Sequence, residues 1–256
     1  MNNLKTTFAK YGIKITEEQE KKFDSYFQFL IEKNKVMNLT AITNESDVLF
    51  KHFLDSILPQ DLFMKNAKVI DVGSGAGFPA IPLKIVRPDL NITMLDSLNK
   101  RVNFLNEATT MLELDGICAV HSRAEDYAKT FRESFNIATA RAVAPLNTLL
   151  EYLLPLVKVG GLCIIYKSTK LEDELNQSQN ALKVLGGKVK EIKTYHIMEQ
   201  DLLRNVLVVE KICATPQKYP RGKNEPKTKP LWVIIKLYFH INKLLTFIFW
   251  YIIISV

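Results

Sequence analysis

Three closely spaced glycines are the residues of this sequence best suited to hold a ligand against the backbone. Gly73, Gly75 and Gly77 follow the apolar run at 68–72, in which Asp71 is the only acid. Glycines permit a tight turn and let a ligand approach the main chain closely. In open α/β sheets, ligands bind beyond the carboxyl ends of the strands, where such a turn would lie. The pattern therefore predicts a ligand-binding turn.

The spacing of the glycines distinguishes this turn from the turn that binds nicotinamide dinucleotides. The dinucleotide pattern is G-x-G-x-x-G, with the pyrophosphate resting on a helix N-terminus. Here the spacing is G-x-G-x-G, and Phe78 stands where the third dinucleotide glycine would be, which disfavours a dehydrogenase. A Gly-x-Gly-x-Gly turn preceded by Asp resembles the first motif of class I methyltransferases, which bind S-adenosylmethionine. Another nucleotide-binding turn, or a purely structural one, is the alternative.

Asp96 is the second residue that favours a nucleoside ligand. It follows the apolar run at 92–95 and lies 23 positions after Gly73. An acid at the end of a second strand can accept hydrogen bonds from both ribose hydroxyls. A lone Asp would be a solvated or capping residue, but its pairing with the glycine turn favours a ribose contact.

Two further segments place polar residues after strand-like runs. The segment 122–126, SRAED, abuts the adenine in this fold, or else it only starts a helix whose acids complement the dipole. The segment 140–146, ARAVAPL, presents Arg141 where the fourth strand of class I methyltransferases faces the transferred methyl. It contains neither Asn-Pro-Pro-Tyr, which would suggest methylation of an exocyclic amine, nor the Cys nucleophile of cytosine-C5 enzymes.

The elements that must position these residues alternate between two patterns. Short apolar runs rich in β-branched residues occur at 68–72, 92–95, 117–121, 137–140 and 162–166, and helical patterns occur near 79–87, 100–114, 146–158 and 170–185. This alternation predicts βαβ units and a mostly parallel, doubly wound α/β sheet. Two last strand-like runs, near 188–197 and 204–212, are joined by a short loop, which predicts an antiparallel hairpin at the sheet edge.

The segment before the sheet is predicted to be helical. Thr16 and Gln19 have the spacing of a capping box, and Phe23, Phe27 and Leu30 then follow at helical intervals. A second helix is predicted over about 46–58, ending at Pro59. The predicted organisation is therefore an N-terminal helical subdomain (1–60), a methyltransferase domain (61–213), a basic tail (214–230) and an apolar C-terminal extension (231–256).

The last two segments differ in composition from the rest of the chain. Residues 214–230 are rich in proline and carry five Lys or Arg against one Glu, which predicts an extended or mobile basic tail. Residues 231–256 are apolar but interrupted by Lys236, His240, Asn242 and Lys243. A lysine in mid-membrane costs roughly 2.5–3.5 kcal/mol. We interpret the extension as non-functional; a weak tail anchor and an interfacial helix are the alternatives.

The composition of the chain restricts the kinds of protein and of binding partner to be expected. The chain is 47% hydrophobic and 24% charged, which excludes a disordered or fibrous protein, and its net charge of +7 favours an acidic partner such as RNA. Cys118, Cys163 and Cys213 have no metal-ligand spacing, so no metal is expected. Their number and the lack of an N-terminal apolar signal region predict a cytoplasmic protein with reduced thiols, and we expect a monomer.

Taken together, the segments resemble one family closely: the RsmG-type (GidB) 16S ribosomal RNA guanine-N7 methyltransferases. The resemblance covers residues 1 to about 231 in order. The matching stretches are NLTAI at 38–42, HFLDSI at 52–57, DVGSGAGFPAIPLKI at 71–85, LDSLNKRVNFL at 95–105, SRAED at 122–126, ARAVAPL at 140–146 and KYPRGKNEPKTKPL at 218–231. Three features depart from the family: Ser168 replaces a common Gly, Asn136 replaces a common Asp, and the apolar extension is alien.

The resemblance implies transfer of a methyl group from S-adenosylmethionine to N7 of a guanine in the 530 loop of 16S rRNA, on the small ribosomal subunit. It implies that the cofactor is bound by eight residues: Gly73, Phe78, Asp96, Ser97, Leu98, Ala124, Glu125 and Arg141. Arg141 would lie near the methyl donor or the substrate and position them. Contacts to RNA phosphates are expected from Lys100, Arg101, Arg123 and Arg221.

The expected chemistry needs no general base. Guanine N7 has a free lone pair, so no proton must leave before it attacks the methyl group. The enzyme needs an in-line approach, and positioning of two reactants can supply roughly 7–11 kcal/mol of the barrier. Two alternatives remain: an RNA-binding protein that uses the fold without catalysis, and a small-molecule methyltransferase. The basic tail and the lack of a large lid insertion argue against the latter.

Overall fold

A seven-stranded mixed sheet forms the centre of the computed structural model, which describes residues 4–167 and 171–232. The strands are β1 (Lys68–Val72), β2 (Asn91–Asp96), β3 (Ile117–His121), β4 (Phe135–Arg141), β5 (Val157–Lys167), β6 (Gly187–Ile197) and β7 (Leu202–Lys211). They are ordered β3-β2-β1-β4-β5-β7-β6. The first five are parallel, and β7 runs antiparallel to both β5 and β6. The predicted parallel sheet with an antiparallel edge hairpin is confirmed.

Helices cover both faces of this sheet. They are α1 (Leu4–Lys10), α2 (Glu17–Met37), α3 (Glu45–Val48), α4 (Asp55–Ile57), α5 (Ala80–Val86), α6 (Asn99–Met111), α7 (Ala124–Thr130), α8 (Leu146–Leu153), α9 (Leu171–Leu185) and α10 (Glu225–Thr228). A π-helical turn, Leu49–Leu54, joins α3 to α4. Short 3-10 turns occur at Gln60–Leu62, Leu154–Leu156 and Met198–Gln200.

The central strands are buried on both faces, which explains their nearly continuous apolar sequence. Successive side chains of β1 point to opposite sides, so Val69 packs with α2, α5 and α6 while Ile70 and Val72 pack with α8 and α9. Crossover helices of right-handed βαβ units supply the two layers. All five carboxyl ends of the parallel strands therefore meet at one edge.

The N-terminal helices share a core with the sheet. The Thr16 side chain caps α2 by accepting from the Gln19 amide, and the Gln19 side chain returns a bond to Thr16, as the capping-box spacing predicts. Phe23 and Tyr26 on the buried face of α2 pack on Phe53, with ring centroids 5.0 and 5.6 Å away. This aromatic layer fixes the π-helical turn against the glycine turn.

Residues 215–232, called here the C-terminal strap, pack against the domain; of the two predicted alternatives, an extended or a mobile tail, this packing favours the first. Tyr219 and Pro226 are buried. The Arg132 guanidinium donates to three main-chain oxygens, those of Thr215, Pro216 and Tyr219, over 2.6–3.0 Å. Prolines lower the number of main-chain donors, so these three carbonyls accept from a side chain instead. The basic, proline-rich composition of this segment gave no indication that Tyr219 would be buried.

The interpretation of 231–256 falls almost entirely outside the described residues, since only 231 and 232 are among them. Ser168 also lies outside them. Within the residues that are described, no helix is long and apolar enough to cross a bilayer.

Candidate active site

A cavity of about 450 Å³ lies at the carboxyl ends of β1 to β4, where an open α/β sheet binds ligands. We call it the first cavity. The predicted cofactor residues that line it are Gly73, Asp96, Ser97, Ala124 and Glu125. Arg101 and Arg123, predicted to contact phosphate, line it as well. The structure thus brings together five of the eight predicted cofactor residues.

The glycine turn adopts a backbone that admits no side chain at Gly73. Its φ is +75°, and a Cβ there would lie 2.7 Å from Cγ2 of Val143, across the cavity wall. The amide of Gly73 donates to the Leu95 carbonyl over 2.7 Å, which ties the turn to the end of β2. Val143 thus packs directly on Gly73, and the cavity opens beside this contact, where the main chain of the turn forms part of its wall.

Asp96 is held by main-chain amides on both carboxylate oxygens. Oδ2 accepts from the Gly75 amide and Oδ1 from the Leu98 amide, each over 2.9 Å. The Arg101 guanidinium lies 3.6 Å from Oδ2. Each carboxylate oxygen has two lone pairs, so Asp96 can still accept from two ribose hydroxyls. Leu98 supplies this amide while its side chain, 44% exposed, is not part of the wall.

Asp71, to which the sequence assigned no role, lies buried beneath the glycine turn. Neither carboxylate oxygen has a hydrogen bond of normal geometry to the described residues. Burial raises its pKa to about 7, against the lowering by Ser74 and Arg141. In its ionised form this buried acid places negative potential under the turn, which fits a cationic ligand above it. The feature of the sequence that could have identified Asp71 is that it is the only acid within the apolar run at 68–72.

A second cavity, of about 750 Å³, borders the first. The loop 142–145 lines both cavities. Its first residue, Ala142, has a φ of +57°, which costs a non-glycine residue energy and marks a backbone held by its surroundings. The charged groups around the second cavity are Lys51, Asp55, Arg141, Lys167, Glu174 and Arg204. This larger cavity therefore offers both cations and carboxylates.

Arg141 lines the second cavity rather than the first, where cofactor contact had been predicted. Its guanidinium donates to Asp55 Oδ2 over 2.8 Å and to the Lys51 carbonyl over 3.1 Å, and it lies over the Phe78 ring at 5.0 Å. Asp55 also faces Arg204 at 3.2 Å. Arg141 is thereby fixed in direction, as expected of a positioning residue.

His52 completes this network in its neutral form. Nδ1 of His52 lies 3.1 Å both from the Arg141 guanidinium, which can only donate, and from the Lys51 carbonyl, which can only accept; the contact with the charged guanidinium assigns Nδ1 as an acceptor. The other ring nitrogen then carries the hydrogen and donates to Thr40 over 2.9 Å. Burial and the nearby Arg141 lower the pKa of His52 to about 4. Phe78 stacks on this imidazole at 4.4 Å, so it supports the network and does not line the first cavity.

The π-helical turn explains how the network is assembled. Residues 49–54 are wound more widely than an α-helix, and π turns are frequent at functional sites. They present Lys51 and His52, and the following Asp55, to the end of β4. Sequence reasoning missed these residues, although His52 and Asp55 are, with Ser56, the polar positions among the apolar residues of the run at 52–58.

The two remaining residues predicted to contact RNA, Lys100 and Arg221, have different surroundings. Lys100 is exposed, in keeping with a phosphate contact that stays a prediction. Arg221 is engaged inside the protein, since its Nε and Nη2 donate to both carboxylate oxygens of buried Glu151 over 2.8 and 2.6 Å. This bidentate pair anchors the C-terminal strap, a role that the sequence did not predict, and the phosphate contact of Arg221 stays a prediction.

The strand order, the single antiparallel strand at β7 and the glycine turn after β1 define a class I methyltransferase, a class that uses S-adenosylmethionine as methyl donor. A solved structure of this fold, P. horikoshii TYW2 in complex with MeSAdo, matches with a TM-score of 0.50 and 12% identity, covering 62% of each chain.

A family model for rRNA small subunit methyltransferase G (GidB) matches residues 19–203, and the chain belongs to this family. The Ribosomal RNA small subunit methyltransferase G of Lactobacillus johnsonii is 49% identical over 229 residues, which are 87% of this chain and 96% of the relative. The protein of the same name from Staphylococcus saprophyticus is 47% identical over 232 residues, 89% and 97% of the two chains. The predicted family is confirmed.

Proposed function

We propose that the protein transfers a methyl group from S-adenosylmethionine to N7 of a guanine in the 530 loop of 16S rRNA. Membership of the family supports an rRNA methyltransferase. The observation that carries the proposal is the pair of cavities that share the loop 142–145. A methyl donor in the first and a base in the second would meet along this loop.

The residues of the first cavity fit the cofactor. S-adenosylmethionine supplies an electrophilic methyl group on a sulfonium. Asp96 accepts the ribose hydroxyls, the main chain of Gly73 forms part of the wall, and Ala124 and Glu125 stand beside the base. The buried carboxylate of Asp71 favours a positive charge above the turn. Together these groups bind and orient the donor.

The residues of the second cavity favour an acceptor that attacks without losing a proton. Guanine N7 is such an acceptor. The lone pair of His52 Nδ1 is directed at Arg141, and the opposite nitrogen already donates to Thr40. Asp55 lies between Arg141 and Arg204. Glu174 Oε2 accepts from the Lys167 ammonium over 2.6 Å and from the Leu146 amide over 2.7 Å. All three groups that could otherwise remove a proton are therefore engaged.

Charge balance in the second cavity also fits this reaction. Positive charge passes to the purine as N7 is methylated. A cation placed against N7 would oppose this transfer of charge. Asp55 fixes Arg141 in a position from which the guanidinium can contact guanine O6 or a phosphate. The carboxylates of Asp55 and Glu174 offset the charge that develops. An unstacked loop is the form in which RNA offers such a base.

The test uses small ribosomal subunits that lack the modification. Purified protein and labelled S-adenosylmethionine are incubated with them, the RNA is digested, and the nucleosides are separated by mass spectrometry. We expect label in N7-methylguanosine, mapped to the 530 loop by borohydride and aniline cleavage. Label in another nucleoside, or none, would contradict the proposal. Action on this substrate also implies a cytoplasmic enzyme, and we propose that it works as a monomer.

A further inference from the structure

The C-terminal strap is attached to the domain at three places. Arg132 binds its first carbonyls, and Arg221 binds buried Glu151. The Thr148 hydroxyl on α8 donates to the carbonyl of Pro226 over 2.9 Å. These bonds involve buried or half-buried groups, so the path of the strap past α8 is fixed.

This path brings the strap to the rim of the first cavity. Asn224 and Lys227 are among the residues that line it. The Oδ1 atom of Asn224 accepts from the Arg123 guanidinium over 3.1 Å, which joins the strap to the end of β3. Within the described parts of the chain, no carboxylate lies at ion-pair distance from the Lys227 ammonium. A donor group thus faces the cavity.

The position of the strap indicates which half of the cofactor it meets. The strand order is β3-β2-β1-β4, so Asp96 at the end of β2 lies between the glycine turn and the end of β3. The second cavity adjoins the loop after β4, on the opposite side of β1. The methyl group must face that loop, and the nucleoside must extend past Asp96 toward Arg123 and the strap.

We propose that the strap forms the outer wall of the adenosine subsite, and that Lys227 donates a hydrogen bond to the adenine of the cofactor. This inference rests on the proposed use of S-adenosylmethionine. The ring nitrogens of adenine are acceptors, and an ammonium group can only donate. Asn224 acts through Arg123, which it holds at the same rim. The strap therefore sets cofactor affinity, a task distinct from RNA binding.

The experiment is calorimetry on full-length protein with two probes, S-adenosylhomocysteine and 5′-methylthioadenosine. The second probe lacks the amino-acid group and keeps the nucleoside. For Lys227→Ala we expect the Kd of both probes to rise by the same factor, about tenfold, as for one lost hydrogen bond to a charged donor. Lys229→Ala, an exposed lysine two positions along the same strap, is the matched control and should bind like wild type.

Each other outcome overturns the inference. Equal affinity of Lys227→Ala and wild type for both probes would remove the contact, and a loss confined to S-adenosylhomocysteine would move it to the amino-acid half. Wild-type protein that binds neither probe would overturn the proposed cofactor and this inference with it. Thermal unfolding without ligand, expected to be unchanged in both variants, separates a local effect from misfolding.

Discussion

The two cavities share a wall but are built in different ways. The first is shaped by the main chain: a glycine at positive φ forms the turn, and the amides of Gly75 and Leu98 hold Asp96. The second depends on side chains from three distant segments, joined where Arg141 and Arg204 meet Asp55. A local turn needs only neighbouring residues, whereas an ion network exists only after the chain has folded.

This difference assigns separate tasks to the two regions. Changes in the first cavity should alter cofactor affinity, and changes in the second should alter the rate of transfer from bound cofactor. A substitution in either cavity that changes both quantities equally would argue against the division.

The largest effect is expected at the pair that anchors the C-terminal strap, the segment that carries Asn224 and Lys227 to the first cavity. Arg221→Ala leaves the Glu151 carboxylate buried without its guanidinium partner, so the free energy of unfolding should fall by about 3–5 kcal/mol. Urea denaturation measures this. The double variant Arg221→Leu/Glu151→Leu should recover part of the loss. Near-wild-type stability of the single variant would show that the pair does not anchor the strap.

The next effect concerns the second cavity. Arg141→Ala should slow single-turnover methyl transfer about 100-fold, because displacement of a positioning group by about 1 Å has that consequence. Its Kd for S-adenosylhomocysteine should stay within about twofold of wild type, since Arg141 lines the other cavity. Lys190→Ala, on exposed β6, is the control. Wild-type turnover in Arg141→Ala would remove the residue from the mechanism.

The counterpart in the first cavity is Asp96→Asn. Loss of a charged acceptor for the ribose should weaken S-adenosylhomocysteine binding by about 10- to 100-fold. The single-turnover rate at saturating S-adenosylmethionine should change little, which reverses the pattern of Arg141→Ala. Calorimetry and rapid quench measure the two quantities. If Asp96→Asn binds S-adenosylhomocysteine as tightly as wild type, another residue binds the ribose.

The two regions should also respond to pH in opposite directions. His52 has a pKa near 4 in the folded protein against 6.5 ordinarily, so its contribution to stability is present above pH 6.5 and is lost as pH falls toward 4. Asp71 has a pKa near 7 against 3.8, so the folded state loses stability as pH rises from 3.8 to 7.

Each group contributes a slope of at most about 1.4 kcal/mol per pH unit. Asp71→Asn should therefore remove the loss of stability toward pH 7, as measured by denaturant unfolding across this range. Asp126→Asn, an exposed acid on α7, is the control. If Asp71→Asn and wild type keep parallel stability curves between pH 4 and pH 7, the buried carboxylate is not the source of the dependence.

The comparison also explains what the sequence could predict. The strands, the edge hairpin and the glycine turn with Asp96 follow from periodicity and local spacing, and each occurs where expected. In the order β5-β7-β6, the second strand of the hairpin, β7, pairs with β5, and β6 is the edge strand. No local pattern in the sequence specifies this order. The fold class could thus be predicted from elements that depend on near neighbours.

Contacts that span the chain could not be predicted. The resemblance implied a phosphate contact for Arg221, and its partner Glu151 lies 70 positions away. The resemblance also assigned Phe78 to the cofactor, and the structure places its ring against His52 and Arg141. In both cases the folded chain supplies a partner that spacing alone does not reveal.

The central claim, transfer to N7 of a guanine in the 530 loop, is tested most directly by mass spectrometry of 16S rRNA from a strain that lacks this protein. The account predicts that one N7-methylguanosine disappears from that loop and returns with wild-type protein but not with Arg141→Ala. An unchanged set of N7-methylguanosines in the deletion strain would contradict it.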